Sequence, residues 1–380
     1  MLKVGVIGYG GRAADMIKEI LLTKKAKITA VFDVNYEYAK ANAEKNGVTS
    51  FAFYTDAEEM LKKEKLDGVI IGTRCSLHTD YACLVAKYGV PMFLEKPVAT
   101  NREDLARLKG ILHHNAKTVV SFPLRVTDIV LRVKEIIESG RIGEIAHVQA
   151  VNNVPYGRVY FHGWYRDESE TGGLFLQKST HDFDYINSML PGRTPKTICA
   201  MESKMVFRGD KPAGVLCDEC PEKSTCPEGP DALRAVGIEI PGWACCFATD
   251  TGNQDSGSVI VGYDNGLHVV YSQDFIARNK AAKRGARFVG YLGTVEFDFP
   301  TATITVFEHM SGKVEKIDMS GDRGQHFGGD RRLAENFIEV MEGKPSKSTL
   351  AEGILSVDMC LCAKESAKER RFADVTFSVN

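Results

Sequence analysis

Residues 3–7 make a short apolar, β-branched run that ends directly in Gly8-Tyr9-Gly10-Gly11-Arg12-Ala13, where a helical pattern opens. A strand that runs through GxGxxA into a helix suits a phosphate-binding turn. Gly8 permits the tight turn, Gly10 lets the backbone approach a pyrophosphate, and Ala13 lets the helix pack closely on the strand. Gly11 and Arg12 open the helix, whose free N–H groups and positive dipole end suit phosphates. Asp33, twenty residues after Ala13 and at the end of the next strand pattern, offers a carboxylate to both hydroxyls of an adenosine ribose. That carboxylate repels a 2′-phosphate, and Val34 and Asn35 follow it rather than Arg or Lys, so NAD is favoured over NADP.

The alternation continues. Strands over 28–33, 68–72 and 91–95 are separated by helices over 12–22, 37–46, 57–63 and 78–88, and a helix over 102–115 and a strand over 118–123 close the series. Such spacing predicts right-handed βαβ units and a doubly wound, parallel Rossmann sheet over 1–123. After a helix over 128–139, longer strands with one polar face at 144–152, 256–263 and 267–275 predict an α+β domain over 124–380 with a mostly antiparallel, open sheet. The chain is α/β overall, and 380 residues suit two cores better than one. The last helix is expected to pack back on the first domain, with its charge-rich end, 364–371, as a solvated face. The exposed sheet face is expected to serve a homo-oligomer, dimer or tetramer.

With 44% hydrophobic and 26% charged residues, disordered and coiled-coil classes drop out. A net charge of -2, with both signs well mixed, gives no field to gather nucleic acid. The apolar run at 4–8 is too short for a signal-peptide core, and no segment reaches the roughly 18 apolar residues of a membrane helix, so a soluble cytoplasmic protein is expected.

A second glycine-led segment runs from Gly172 to Asp184. On a helix Gln177, Lys178, His181, Asp184 and Tyr185 share one stripe, and Leu176, Phe183, Ile186 and Leu190 the other. The polar stripe faces either bulk water or a ligand. Upstream, Glu95-Lys96-Pro97 follows a buried strand at the carboxyl edge of the sheet, where ligands bind in such folds. A lysine there serves as the base that removes a hydroxyl proton, if its pKa is drawn toward neutrality.

The stretch from Gly72 to Asn101, centred on Glu95-Lys96-Pro97, resembles the glucose-fructose oxidoreductase, inositol dehydrogenase and rhizopine catabolism family, Gfo/Idh/MocA. The resemblance extends over nearly the whole chain. It implies that Glu95 and Lys96 lie at the nicotinamide, that a cis peptide bond precedes Pro97, and that Thr73 and His78 line the cofactor cleft. The segment from Gly172 resembles the family's GGGxxxDxGxHxxD, with Gln177 and Ser179 in place of the first aspartate and the glycine. His181 is then relay or alternative base, Lys178 an extra cation near the substrate, Gln177 a neutral contact and Asp184 an orienter. Trp164 and Arg166 resemble a sugar-stacking and oxygen-binding pair, and His326 a further substrate contact. Asp330 reads either as part of that last motif or as a helix N-cap.

Cys217, Cys220, Cys226 and Cys245 fall in a proline-rich, strand-poor insertion. Four thiolates so spaced suit a structural zinc, with free thiols or a disulfide as alternatives. The function expected is an NAD-dependent dehydrogenase of a carbohydrate or polyol hydroxyl. NAD-assisted glycosidic cleavage with a recycled cofactor, and a non-catalytic NAD sensor, are the alternatives.

Overall fold

A computed structural model describes residues 1–239, 243–321 and 324–379. Six strands, β1 (Leu2–Ile7), β2 (Ala26–Phe32), β3 (Ala52–Tyr54), β4 (Gly68–Ile71), β5 (Met92–Leu94) and β6 (Thr118–Val120), pair in parallel in the order β3-β2-β1-β4-β5-β6. β4 and β5 are buried throughout, as strands covered by helices on both faces must be. The order reverses between β1 and β4. A crevice therefore opens at their carboxyl ends, where Gly8 and Thr73 lie.

Side-chain caps set the helix starts. Asn35, Asp56 and Asn101 accept from the backbone of Tyr38, Glu59 and Asp104. The helix expected over 102–115 ends earlier, as Arg102–Lys109, and a 3₁₀ stretch Leu112–Lys117 follows. Gly110, a poor helix former, sits at the break, and the N–H groups of Gly110, Ile111 and His114 each turn back to the carbonyl three residues earlier.

The second sheet has nine strands: β7 (Ile145–Asn153), β8 (Pro195–Ser203), β9 (Ser256–Tyr263), β10 (His268–Asp274), β11 (Lys283–Gly290), β12 (Gly293–Asp298), β13 (Thr303–Glu308), β14 (Val314–Asp318) and β15 (Ala373–Asp374). They run β14-β13-β12-β11-β7-β10-β9-β8-β15, antiparallel except for the β7–β10 pair. One face packs on helices; on the other, Met201, Ile260 and Val270 are exposed in the single chain.

Two late helices cross back to the first domain. Gly329–Met341 puts Leu333 and Phe337 into a cluster with Val4 and Phe93, so it completes the outer face of the parallel sheet. The long helix Leu350–Glu369 lies against β8 and meets Val98 and Val120 at Gly353, where an added Cβ would come within 3.0 Å. Its charged end is exposed from Lys368 to Arg371, but Lys364 turns inward to Gly172 O (3.0 Å) and Glu168 (2.5 Å). Among the described residues no helix is long and apolar enough to cross a membrane.

The cysteine-bearing insertion between β8 and β9 folds through turns, a 3₁₀ turn at Cys217–Glu219 and a short helix, Pro230–Arg234. The zinc expected at Cys217, Cys220, Cys226 and Cys245 is not supported. Among the described residues no group of three or more His, Cys, Asp or Glu is placed to hold a metal, and these cysteines are free thiols. Other contacts hold the insertion. Cys217 N–H donates to Trp243 O (2.8 Å) and Cys245 N–H to Val215 O (2.9 Å). Cys246 joins Phe161, Phe207 and Phe275 in a separate apolar cluster, and Glu228 pairs with Arg158 at 3.0 Å and Arg278 at 3.3 Å. A segment with its own apolar cluster and backbone pairing has no need of a metal staple.

Candidate active site

The glycine turn has the geometry its sequence requires. Gly8 has φ +82°, and a Cβ there would lie 2.8 Å from Thr73 N, so only glycine fits. Gly10 is extended and caps the helix Gly11–Leu22 without a side chain, which leaves the first N–H groups open. Ala13 packs where a Cβ on Gly72 would come within 2.6 Å. Asp33 accepts from Tyr9 N (2.7 Å) and Asn35 N (2.8 Å), so the carboxylate that faces the crevice also fixes the turn. A glycine cradle, an open helix N-terminus and a fixed carboxylate together fit a dinucleotide.

Lys96 follows β5, and the Lys96–Pro97 bond is cis. Its Nζ donates to Gln177 O at 2.8 Å, which joins the loop after β5 to the second glycine-led segment across the crevice. Burial, then the charge of Lys178, push the Lys96 ammonium down to about 8. His78 supports this loop from below: it is buried, with Nδ1 2.8 Å from Pro97 O and Nε2 3.3 Å from Thr73 O. Thr73 lies beside Gly8, whereas His78 holds the loop rather than the crevice surface.

The segment expected to show a wet and a dry stripe is buried on all sides. It begins as a π-turn, Phe175–Ser179, and continues as the helix Thr180–Ser188. The extra residue in the turn changes the stripe, as π-bulges do at functional sites. Gln177, Lys178 and His181 gather near Lys96, but Asp184 turns to Arg125 (3.2 Å) and Tyr185 enters an aromatic cluster with Phe297 and Phe299. Gln177 Nε2 donates to Cys75 Sγ at 3.1 Å. Lys178 Nζ donates to Tyr156 Oη at 2.6 Å and lies over the Tyr156 and Tyr160 rings, 4.4 and 5.1 Å from their centroids.

His181 is 6% exposed and its Nδ1 has no protein partner. Burial, then the charge of Lys96, hold its pKa well below the usual value, so the ring is neutral at pH 7. Its ring lies 6.1 Å from that of His326, which donates from Nδ1 to Asp330 at 2.8 Å. Although burial alone would raise it, hydrogen bonds from His326 and Arg12 bring the Asp330 carboxyl down to about 2. Arg12 spans the crevice, 3.2 Å from Glu95 and 2.6 Å from Asp330. It thereby ties the glycine helix, β5 and the helix Gly329–Met341 together. Asp330 is thus an ion-pair partner, and no side chain caps that helix.

Of two expected substrate contacts, Arg166 is committed elsewhere and Trp164 in part. Arg166 binds Asp250 (2.7 Å), Thr251 (2.7 Å) and Cys245 O (3.0 Å), which pins the cysteine insertion to the loop. Trp164 stacks on Tyr165 at 4.0 Å, and the Arg74 guanidinium sits 3.8 Å over its ring. Its remaining surface, 37% exposed, stays available to a ligand.

Residue reasoning missed Tyr156, Arg284 and Asp182. The charge of Lys178, working against burial, brings the Tyr156 phenol down to about 8. Arg284 donates to Asp182 at 2.8 Å, and Asn152 and Tyr271 complete that carboxylate. Asp182 stood inside the motif already noted, between His181 and Asp184. Tyr156, in the Pro155-Tyr156-Gly157 turn after β7, had only its turn position as a signal.

Comparison with known proteins matches this geometry to a family. Residues 2–122 fit the oxidoreductase family model with an NAD-binding Rossmann fold, and residues 130–296 fit the GFO/IDH/MocA C-terminal domain. A putative oxidoreductase, YteT, of Bacillus subtilis is 27% identical over 329 residues, 75% of each chain. Inositol 2-dehydrogenase of Azotobacter vinelandii is 29% identical over 163 residues, 42% of this chain and 48% of that enzyme. Among solved structures, levoglucosan dehydrogenase in complex with NADH superposes with a TM-score of 0.79 over 99% of this chain and 100% of its own, at 17% identity. Myo-inositol 2-dehydrogenase of Lactobacillus plantarum does so at 0.73 over 99% of both chains, also at 17% identity. At that identity the superpositions speak for the fold alone. With residues 2–122 and 130–296 matched by its two family models, the chain belongs to the GFO/IDH/MocA oxidoreductase family, with an NAD-binding Rossmann domain.

Proposed function

We propose that this chain is an NAD-dependent dehydrogenase of a sugar, glycoside or polyol hydroxyl. The observation that carries the reading is Lys96, placed at the carboxyl end of the parallel sheet with its pKa drawn down to about 8. Oxidation of an alcohol requires that the hydroxyl proton leave as hydride departs from the same carbon. A dinucleotide held on the glycine turn supplies the hydride acceptor. Lys96 takes the hydroxyl proton, and Gln177 O, which accepts its hydrogen bond, fixes the direction of the amine. Neutral His181, beside Lys96, accepts or relays a second hydrogen bond from the substrate. Inositol 2-dehydrogenase among the relatives supports the substrate class.

The reading is tested by mixing the protein with NAD or NADP and a panel of hexoses, inositols, sugar acids and aryl glycosides while following reduced nicotinamide and substrate loss. Sustained reduction with one class is expected. Substrate loss without net reduction would replace this reading with redox-assisted cleavage.

The pH profile has a determined sign. The neutral amine of Lys96 is the acting form, so kcat/KM rises about tenfold per pH unit below about 8 and levels above it. Activity is lost as pH falls through that value. A flat profile between about pH 6 and 9 would exclude Lys96 as the base.

Asp33 sets the cofactor. Asp33→Ala is expected to weaken NADH binding by about tenfold or more and to narrow its preference over NADPH, since a carboxylate hydrogen bond contributes about 1.5–3 kcal/mol. Fluorescence titration with both dinucleotides measures this; an unchanged NADH affinity would contradict it. The bare face of the second sheet, with Ile260 and Val270 exposed, is the surface through which copies of the chain would pair.

A further inference from the structure

Buried cations normally sit against carboxylates, and this crevice has one, Lys178, that does not, beside a partly buried Lys96 that has none either. Lys178 is 7% exposed, and its ammonium has one hydrogen bond, to the Tyr156 hydroxyl. Lys96 has one, to the Gln177 carbonyl. Among the described residues neither lysine has an acidic partner within ion-pair distance, although each ammonium has three protons to place. The carboxylates nearby are already engaged: Glu95 and Asp330 with Arg12, Asp182 with Arg284, and Asp184 with Arg125. An unpaired ammonium out of water is costly, and natural sites tolerate it where a ligand completes the pair. The proximity of the two lysines makes the deficit local, because the charge of Lys178 disfavours that of Lys96.

We infer that the substrate carries an anionic group, a carboxylate or a phosphate, which Lys178 and the Tyr156 hydroxyl receive while a neighbouring hydroxyl meets Lys96. The site then acts on sugar acids or sugar phosphates in preference to neutral sugars. The half-exposed Tyr156 ring is the outer wall of this anion pocket, and its hydroxyl is free to donate to the anion while it accepts from Lys178. The position of the reacting hydroxyl rests on the dehydrogenase reading; the anion pocket itself does not.

The test separates the two. Calorimetric binding to the NADH complex, where no turnover occurs, is measured for glucuronate, its isosteric amide glucuronamide, glucose 6-phosphate and glucose. At least one anion is expected to bind about tenfold or more tightly than its neutral counterpart, and the arm that does so identifies the group. In Lys178→Gln that margin is expected to collapse, while a change confined to Tyr156→Phe would be smaller. Equal affinity of acid and amide, and of phosphate and free sugar, in the wild-type protein would overturn the inference without any variant. An anion that binds tightly but never reduces NAD would support the pocket and count against the dehydrogenase reading alone.

Discussion

Lys96→Met is expected to lower kcat/KM by about 10²–10⁴-fold, the usual contribution of a positioned general base, while NADH affinity stays in the wild-type range. Methionine keeps the length and apolar stem of the side chain, so the cis turn and the His78 contacts to Pro97 and Thr73 carbonyls are preserved. What disappears is the amine and its bond to Gln177 O. The pH dependence below about 8 should vanish with it. A variant that keeps its rate and its profile would move the base to Tyr156, whose phenol titrates in the same range.

Arg125→Met is expected to destabilise the fold by about 3–5 kcal/mol at pH 7, measured by urea unfolding, because removing one partner of a buried pair strands the other charge. Arg125 is buried and reaches three groups at once: Asp184 at 3.2 Å, Glu352 at 2.5 Å and Lys347 O at 3.1 Å. Those groups come from the helix Thr180–Ser188 and from the start of the long helix Leu350–Glu369 and the residues just before it, so one side chain holds both against the 3₁₀ turn Pro123–Val126 that follows β6. The penalty has a pH signature. Burial pushes the Asp184 carboxyl up even with Arg125 opposing it, and without the guanidinium its folded pKa rises further. A carboxyl whose folded pKa exceeds its unfolded value loses stability above the unfolded value. The deficit should therefore shrink as pH falls toward about 4, where the unfolded chain also binds the proton. A loss below about 1 kcal/mol at pH 7, or one that does not shrink in acid, would show that Asp184 is held by something else.

Much of this site was legible because its constraints are local. A positive φ at Gly8, a close packing contact at Ala13 and a carboxylate at the end of β2 are each imposed by the residue itself, so the turn reads directly from Gly8-Tyr9-Gly10-Gly11-Arg12-Ala13. The alternation of strands and helices behaved likewise, except that the short strand β3 (Ala52–Tyr54) was not expected and Gly110 ended a helix early. Helical periodicity was less informative in the second glycine segment. It assigns residues to sides of a cylinder but does not say what each side meets. The π-turn also shifts Gln177 and Lys178 relative to His181 and Asp184, which is how Asp184 left the shared stripe for Arg125.

Long-range partners were the least legible. Arg166 has the chemistry of a sugar ligand, but Asp250 and Thr251, more than eighty residues away in sequence, absorb its donors. Arg284 and Tyr156 reach the site from β11 and from the turn after β7, and no local pattern marks either. The helix Gly329–Met341 shows an apolar stripe that fits either core; only the contacts of Leu333 and Phe337 place it on the parallel sheet. The cysteine spacing suggested a metal because a strand-poor insertion often lacks a core. Here Phe161, Phe207, Cys246 and Phe275 supply one.

The most direct test of the central claim is hydride transfer itself. Carbon-deuterated hexoses, inositols and sugar acids would be incubated with the protein and NAD, and the nicotinamide analysed by mass spectrometry. The expected result is NADH carrying one deuterium at C4 of its ring, formed in step with a ketone or aldehyde product and absent with Lys96→Met. Product formed without label on the nicotinamide, or no product from any member of the panel despite tight NADH binding, would contradict a dehydrogenase built on Lys96.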